Sequence, residues 1–149
     1  MNDRFKFRGK RLDNNEWYYG SYLYLHNADK FDWNNKRHTT NEDVHYIIDE
    51  NDVNYAVNPE TVGQCTGLKD KNGTLIYEGD IVKFNYDTDE IIAVVSWDNG
   101  KDATVGYYLN TTDYFKDKYV TDYDFYKNDY EVIGNIYENA DLLEDTECT

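Results

Sequence analysis

Few side chains in this sequence stand where type and spacing together make chemistry. Gly63-Gln64-Cys65-Thr66-Gly67 has the spacing of a nucleophile elbow with Cys in place of Ser. Such an elbow needs a strand before it and a helix after it. Here turn residues and a short strand follow, so the segment reads as a glycine-punctuated turn. The histidines His26, His38 and His45 lack the spacing of a zinc helix, and neither Cys65 nor Cys148 sits in a C-x-x-C pair. His26 and His38 read as solvated loop residues, and His45 as a strand-edge residue beside Tyr46. Asp87 with Asp89, and Asp122 with Asp124, are paired acids two residues apart, which on a strand share one face. A divalent cation needs several converging oxygens, and among thirty acids such pairs arise by chance. Gly63 to Gly67 also lacks the Lys-Ser/Thr and helix of a phosphate loop. The residues therefore predict no enzyme, no catalytic group, no metal ligand and no cofactor.

Charge and aromatic placement say more. Arg4, Lys6 and Arg8 lie two apart, so a strand there sets them in one row with Phe5 and Phe7 on the other side. Residues 1–11 hold five basic residues and one acid in a chain of net charge −15. The basic row can meet phosphates or carboxylates. The acidic remainder favours carboxylates, within the chain or on a second copy, and long-range repulsion argues against nucleic acid. This makes Arg4, Lys6 and Arg8 the candidate self-association residues of a homo-oligomer. The tract Asp113 to Glu131 holds six acids, three Lys and seven aromatic residues. Tyr gives large contact area at low entropy cost, so Tyr119, Asp122, Tyr123, Asp124 and Tyr126 are the candidate protein-binding residues. The competing reading makes the tract an ordinary strand whose rings fill a core poor in Leu.

The elements that must position these groups are strands. The single Pro is Pro59, and short β-branched and aromatic runs alternate with Gly, Asn and Asp clusters, the pattern of an all-β domain. Strands are expected at Arg4 to Arg8, Trp17 to Leu25, Val44 to Asp49, Asn54 to Val57, Ile81 to Phe84, Ile91 to Trp97, Ala103 to Leu109 and Glu131 to Tyr137. Glu50-Asn51-Asp52 reads as a turn, and Lys71-Asn72-Gly73-Thr74 carries the Asn-Gly pair of another. Asp98-Asn99-Gly100 marks a hairpin. Pro59 to Val62 opens one helical turn, and Asn139 to Glu144 forms a short helix with Asn139 as its N-cap. Phe84, Ile92, Val94, Val132 and Ile136 are expected in the core. His26 to Asp43 and Thr111 to Asn128 fit no element.

Composition bounds the rest. The 149 residues make one domain's worth of chain. Leu, Ile, Val and Phe together number thirty-two, so the core must draw on the sixteen Tyr. No apolar run approaches the roughly 18 residues of a membrane span. Two Cys make no disulfide framework, and the charged N-terminus is no signal peptide, which together predict a reducing cytoplasm.

Three blocks resemble the YopX-like proteins of bacteriophages and prophages. They are Phe7-Arg8-Gly9-Lys10-Arg11 with Glu16-Trp17-Tyr18-Tyr19-Gly20, then Val57 to Asp70 with Glu78-Gly79-Asp80-Ile81-Val82, then Glu131 to Asn139. Cys65 stands where relatives typically carry an aromatic residue, and Ala140 where they often carry Pro. The resemblance spans nearly the whole chain. It implies a single β-rich pseudobarrel with a short C-terminal helical cap, in the cytoplasm of an infected or lysogenic bacterium, and carries no catalytic residue or cofactor with it. The function expected is a phage accessory protein that binds a host or phage protein through an acidic, aromatic-rich surface. Nucleic-acid binding through the basic strand, and a small hydrolase, are the alternatives.

Overall fold

The computed structural model describes residues 3–26, 29–31, 37–39, 43–86, 88–99, 105–111 and 130–144. The chain divides into two compact units, Met1–Gln64 and Cys65–Thr149. It is mostly β, and every strand pairing described is antiparallel. Helical residues among those described are confined to 3-10 turns at Asp3–Phe5, Pro59–Thr61 and Ala140–Leu143. Among the described residues, no helix is long and apolar enough to cross a membrane.

In the first unit β1 (Phe7–Lys10), β2 (Trp17–Leu25), β5 (Val44–Ile48) and β6 (Asn54–Ala56) pair in the order β6-β5-β2-β1. Gly63 and Gln64, the first residues of β7 (Gly63–Lys69), add to the free side of β1. The short hairpin β3 (Asp29–Phe31) with β4 (Arg37–Thr39) lies in the segment between β2 and β5. The turn from β5 to β6 forms as its sequence dictates. Asp49 Oδ1 accepts from the backbone N–H groups of Asn51 at 2.8 Å and Val53 at 2.9 Å. Pro59–Thr61 is the expected single turn, capped by Asn58, whose side chain accepts from Glu60 N–H at 3.1 Å.

Two glycines let this sheet coil. A Cβ on Gly9 would lie 3.0 Å from Val57 Cβ, and one on Gly20 would lie 2.0 Å from the backbone oxygen of Ile48. Each glycine faces an aromatic ring across the β1–β2 ladder, Gly9 opposite Tyr18 and Gly20 opposite Phe7. The coil brings Val57 onto a single bridge with Arg11, beside Leu12 N–H donating to Ala56 O at 3.0 Å. One bridge is not a closed ladder. The expected pseudobarrel is therefore corrected to open antiparallel sheets, with no closed barrel among the described residues.

In the second unit the rest of β7 pairs with β8 (Leu75–Tyr77). β9 (Asp80–Tyr86), β10 (Asp89–Asn99), β11 (Val105–Thr111) and β12 (Glu131–Asn135) form a four-stranded sheet in the order β11-β10-β9-β12. The expected β10–β11 hairpin forms, in register from Ala93↔Thr111 to Asn99↔Val105, but Asp98 and Asn99 lie on β10 and not in the turn, and the tip lies outside the described residues.

The core of this unit lies on one face of that sheet. Val82, Phe84, Ile91, Ala93, Val95 and Leu109 are buried there with Ile76 and Tyr130. Here the sequence reading is corrected. Ile92 and Val94 are only half-buried, and Ile136 is exposed, whereas Ile91, Ala93 and Val95 point inward. The register gives the reason. Ile91 pairs with Phe84 and Ala93 with Val82, and cross-strand partners share a face. Phe84 and Ile92 therefore point opposite ways.

The C-terminal helix is also corrected. Ala140–Leu143 is a 3-10 turn, and Asn139 makes no side-chain cap to it. Its Oδ1 instead accepts from Asn135 N–H at 3.1 Å, which folds the chain back onto the end of β12.

Truncating Ile91 to Ala is expected to cost about 2–4 kcal/mol, the range for a buried aliphatic. Ile92→Ala is expected to cost less than about half of that. Urea unfolding of the two variants checks the face, and equal losses would contradict it.

Candidate functional site

The basic row was expected on a strand, but the chain begins with a turn. Lys6 N–H donates to Asp3 O at 3.0 Å, and Lys6 Nζ reaches Asp3 Oδ1 at 2.9 Å. Both contacts span three residues, the reach of a 3-10 turn and not of a strand. β1 starts only at Phe7, so of the three residues Arg8 alone lies on it. Arg4 is exposed in the turn. Arg4, Lys6 and Arg8 therefore share no strand face, which corrects the predicted row.

Arg8 instead shares a face with Lys10. Both are buried, and both pack on the ring of Trp17, with Arg8 Cζ 4.7 Å and Lys10 Nζ 5.5 Å from its centroid. A cation over an indole is attracted by the ring quadrupole. The ladder dictates the meeting, since Lys10 pairs with Trp17 and Arg8 with Tyr19. The same face continues along β2 as Ser21, Leu23 and Leu25. Their partners on β5 are Ile48, Tyr46 and Val44. Asn54 and Ala56 complete it on β6.

The opposite face centres on Ile47, which is fully buried, and Val57. Arg11 stacks its guanidinium 3.4 Å from the centroid of Tyr55 and holds Asp13 through Nε at 2.8 Å and Nη2 at 2.5 Å. This two-pronged hydrogen bond to Arg11 lowers the Asp13 pKa. Tyr18 packs edge-on against Tyr55 and donates to Asp49 Oδ2 at 2.7 Å. That hydrogen bond, followed by desolvation, pushes the Tyr18 phenol up to about 12.

Further along this Ile47 face, five polar groups form a cross-strand array. The Tyr22 hydroxyl and His45 Nδ1 lie 2.5 Å apart. Tyr24 sits opposite His45 with ring centroids 5.0 Å apart and donates to Asp43 Oδ2 at 2.8 Å. His26 Nδ1 lies 2.7 Å from Asp43 Oδ1. The sequence treats His26 as a solvated loop residue, and it is exposed, but it is also partnered. The β2–β5 register that makes the array is joined by a long connection and not by a tight turn, so no local signal announced it. Among the described residues, no three His, Cys, Asp or Glu side chains converge as a metal site.

Cys65 is fully buried on β7, which runs as a strand through Gly63–Lys69, with no helix following. Its Sγ accepts from Gly67 N–H at 3.4 Å within a bulge of the β7–β8 ladder. Asp89 is exposed at the start of β10, while Asp87 lies outside the described residues. His38 falls on β4. Tyr119, Asp122, Tyr123, Asp124 and Tyr126 all lie outside the described residues.

The second and third sequence blocks supply scaffold. Thr61 Oγ1 accepts from Lys10 N–H at 2.9 Å. Asp80, almost wholly buried, accepts from Tyr77 N–H at 2.7 Å. Asp70 does the most. Its Oδ1 accepts from Asn72 N–H at 2.9 Å and Thr74 N–H at 2.8 Å, fixing the Asn-Gly turn. Its Oδ2 accepts from Val132 N–H at 3.0 Å, fixing β12. Lys71 repeats the link, through Lys71 N–H to Tyr130 O at 2.8 Å and Lys71 Nζ to Glu131 Oε2 at 2.6 Å.

An antiparallel, mostly β chain whose signature blocks fix turns and strand ends is the class of protein defined here. Residues 6–144 match the family model described as YopX protein, and the chain belongs to that family. It is similar to the crystal structure of protein EF1440 from Enterococcus faecalis, at 24% identity over 93% of this chain and 96% of that one, with a TM-score of 0.47. No curated protein matches.

Asp70 links the fold to pH. Burial pushes its carboxyl toward the neutral form, but the donors Val132, Thr74 and Asn72 outweigh that, and its pKa is lowered. A carboxylate with a folded pKa below its unfolded value of about 3.9 stabilises the fold at neutral pH. That stability is lost as the pH falls through the folded pKa. Asp70→Asn is expected to destabilise the protein at neutral pH and to flatten its loss of stability between about pH 5 and pH 3. Urea midpoints across that range check this. An acid profile identical to the parent's would show that Asp70 carries no such linkage.

Proposed function

We propose that this YopX-family chain is a phage-encoded, non-enzymatic accessory protein that binds another protein. The binding surface is the acidic, aromatic-rich part of the Cys65–Thr149 unit, and its candidate residues remain Tyr119, Asp122, Tyr123, Asp124 and Tyr126. The partner is a host or phage protein with a basic face, met in the bacterial cytoplasm.

The division of charge carries this reading. The Met1–Gln64 unit has eleven acids against eight Lys and Arg, a net −3. The Cys65–Thr149 unit has nineteen against seven, a net −12. Asp89, Glu90, Glu138, Asp141 and Glu144 are all exposed in it. A field of one sign steers a partner of the opposite sign and raises its rate of encounter. The Tyr and Phe rings between the acids of Asp113 to Glu131 add the contact area that charge alone does not give.

Nucleic-acid binding through the N-terminal basic residues has less support. Lys6 is engaged by Asp3, Arg11 by Asp13, and Arg8 is buried on Trp17. A thiol hydrolase has less as well, since Cys65 lies fully buried in a strand.

The test is affinity capture from lysate of the infected host, with the parent and a Tyr123→Ala, Tyr126→Ala variant. The parent is expected to retain a basic protein that the variant loses, with retention falling as salt rises. Retention of nuclease-sensitive nucleic acid in place of protein would move the reading to the nucleic-acid class.

A further inference from the structure

The turn from β7 to β8 carries Asn72-Gly73, one of the two Asn-Gly pairs in the chain, the other being Asn99-Gly100. An Asn-Gly pair can modify itself. The Gly backbone nitrogen attacks the side-chain carbonyl carbon of the Asn before it, and Gly, without a Cβ, leaves that nitrogen least hindered. Access at this turn is open. Asn72 and Gly73 are both exposed. Apart from its chain neighbours, no heavy atom lies within 4 Å of where a Cβ on Gly73 would stand. The backbone, however, is tied. Gly73 N–H donates to Asp70 O at 3.0 Å, and Asp70 N–H to Thr74 O at 2.8 Å. With Gly73 at φ +83°, this is the three-residue hairpin loop closed by a left-handed glycine. Asp70 Oδ1 grips the N–H groups on either side of Gly73, those of Asn72 and Thr74, and Oδ2 is anchored on Val132 N–H at 3.0 Å.

We propose that Asn72 is a site of self-deamidation, held shut by the turn that Asp70 fastens. Water is the co-reactant, and nothing is oxidised or reduced. Gly73 N loses its proton to water and bonds to Asn72 Cγ. The side-chain nitrogen takes up a proton and leaves as ammonia, which closes a five-membered imide. Water then opens the ring. Breaking the bond from Gly73 N to Cγ gives an aspartate at position 72. Breaking the bond from Gly73 N to the main-chain carbonyl carbon gives an isoaspartate, with the chain running through Cβ and Cγ. The attack requires Gly73 N–H to leave Asp70 O, so the reaction proceeds only while the turn is open. Either product then opposes reclosure. Both add a negative charge close to the Asp70 carboxylate in a unit of net −12. The isoaspartate also adds a main-chain atom inside the loop. The modified chain therefore loses the fastening of the turn to β12. This inference is independent of the binding role proposed for the same unit.

The test incubates the full chain, its Asp70→Asn variant and its Ile91→Ala variant at neutral pH. Trypsin releases residues 72–83, in which Asn72 is the sole Asn, so mass spectrometry follows its conversion apart from that of Asn99. Synthetic peptides of residues 68–76, with and without Asp70→Asn, give the rate of the open chain. Asn72 in the parent is expected to convert slower than in its peptide by on the order of tenfold or more. In Asp70→Asn that gap should shrink by on the order of threefold or more. Ile91→Ala weakens the core and leaves the turn's hydrogen bonds in place, so it should keep the parent's rate. The parent gives a second reading without any variant. Protection of the Gly73 amide against hydrogen exchange should match the slowing of conversion within about threefold, because both need the same opening. That reading decides alone should circular dichroism show Asp70→Asn unfolded. Conversion in the parent at the peptide's rate overturns the proposal. So does an Asp70→Asn protein that converts no faster than the parent, or one in which neither converts while the peptides do. Equal acceleration in Ile91→Ala would place the control in global unfolding and not in this turn, and slowing without matching protection at Gly73 would break the link to its hydrogen bond; either result overturns it too.

Discussion

The carboxylate of Asp70 is the interaction on which the second unit depends. Its three acceptor contacts join a turn between β7 and β8 to a strand that follows some sixty residues later. Backbone N–H groups at a turn and at a strand edge need acceptors, and a buried one left unpaired costs about 1–3 kcal/mol. One ionised side chain satisfies three at once. Charge-assisted bonds of this kind are about twice as strong as neutral ones, which suits a chain with few large aliphatic residues. Asp49 does similar work in the first unit, taking two backbone donors and the Tyr18 hydroxyl. Acids that elsewhere repel are here the fasteners of turns.

Aromatic rings take the second structural role. Tyr18 and Tyr55 meet edge-on, Phe84 and Tyr130 lie 5.0 Å apart within the core, and Trp17 carries two buried cations. The small aliphatic count is thus offset by rings that pack and also hydrogen-bond. Asp70, Asp80, Gly9, Gly20 and Asn135, which lie in the three sequence blocks, are occupied by these structural tasks.

How far the sequence could be read follows from where its signals are local. β2 runs Trp17–Leu25 as its Tyr-rich pattern predicts, and the Asp49, Pro59 and Asn72-Gly73 turns form from residues a few positions apart. Non-local competition defeated the rest. Ile91-Ile92-Ala93-Val94-Val95 is apolar at every position, so alternation could not choose a face, and only the register against β9 does. Arg4 to Arg8 alternates perfectly, but Asp3 draws Lys6 into a turn first. Asn139 has the right type for an N-cap and spends its side chain on Asn135 instead. Of the candidate site, the Tyr22–His45 and Tyr24–Asp43 contacts arise from the β2–β5 pairing, whose register no short turn sets.

Amide hydrogen exchange in the parent and in Asp70→Asn tests the central claim most directly, that one buried carboxylate fastens the turn to β12. The parent's Asn72, Thr74 and Val132 amides should be protected together. All three should lose protection in Asp70→Asn, while amides in the middle of β9 and β10 keep theirs. Rapid exchange at Val132 in the parent, or protection there that Asp70→Asn leaves intact, would contradict it.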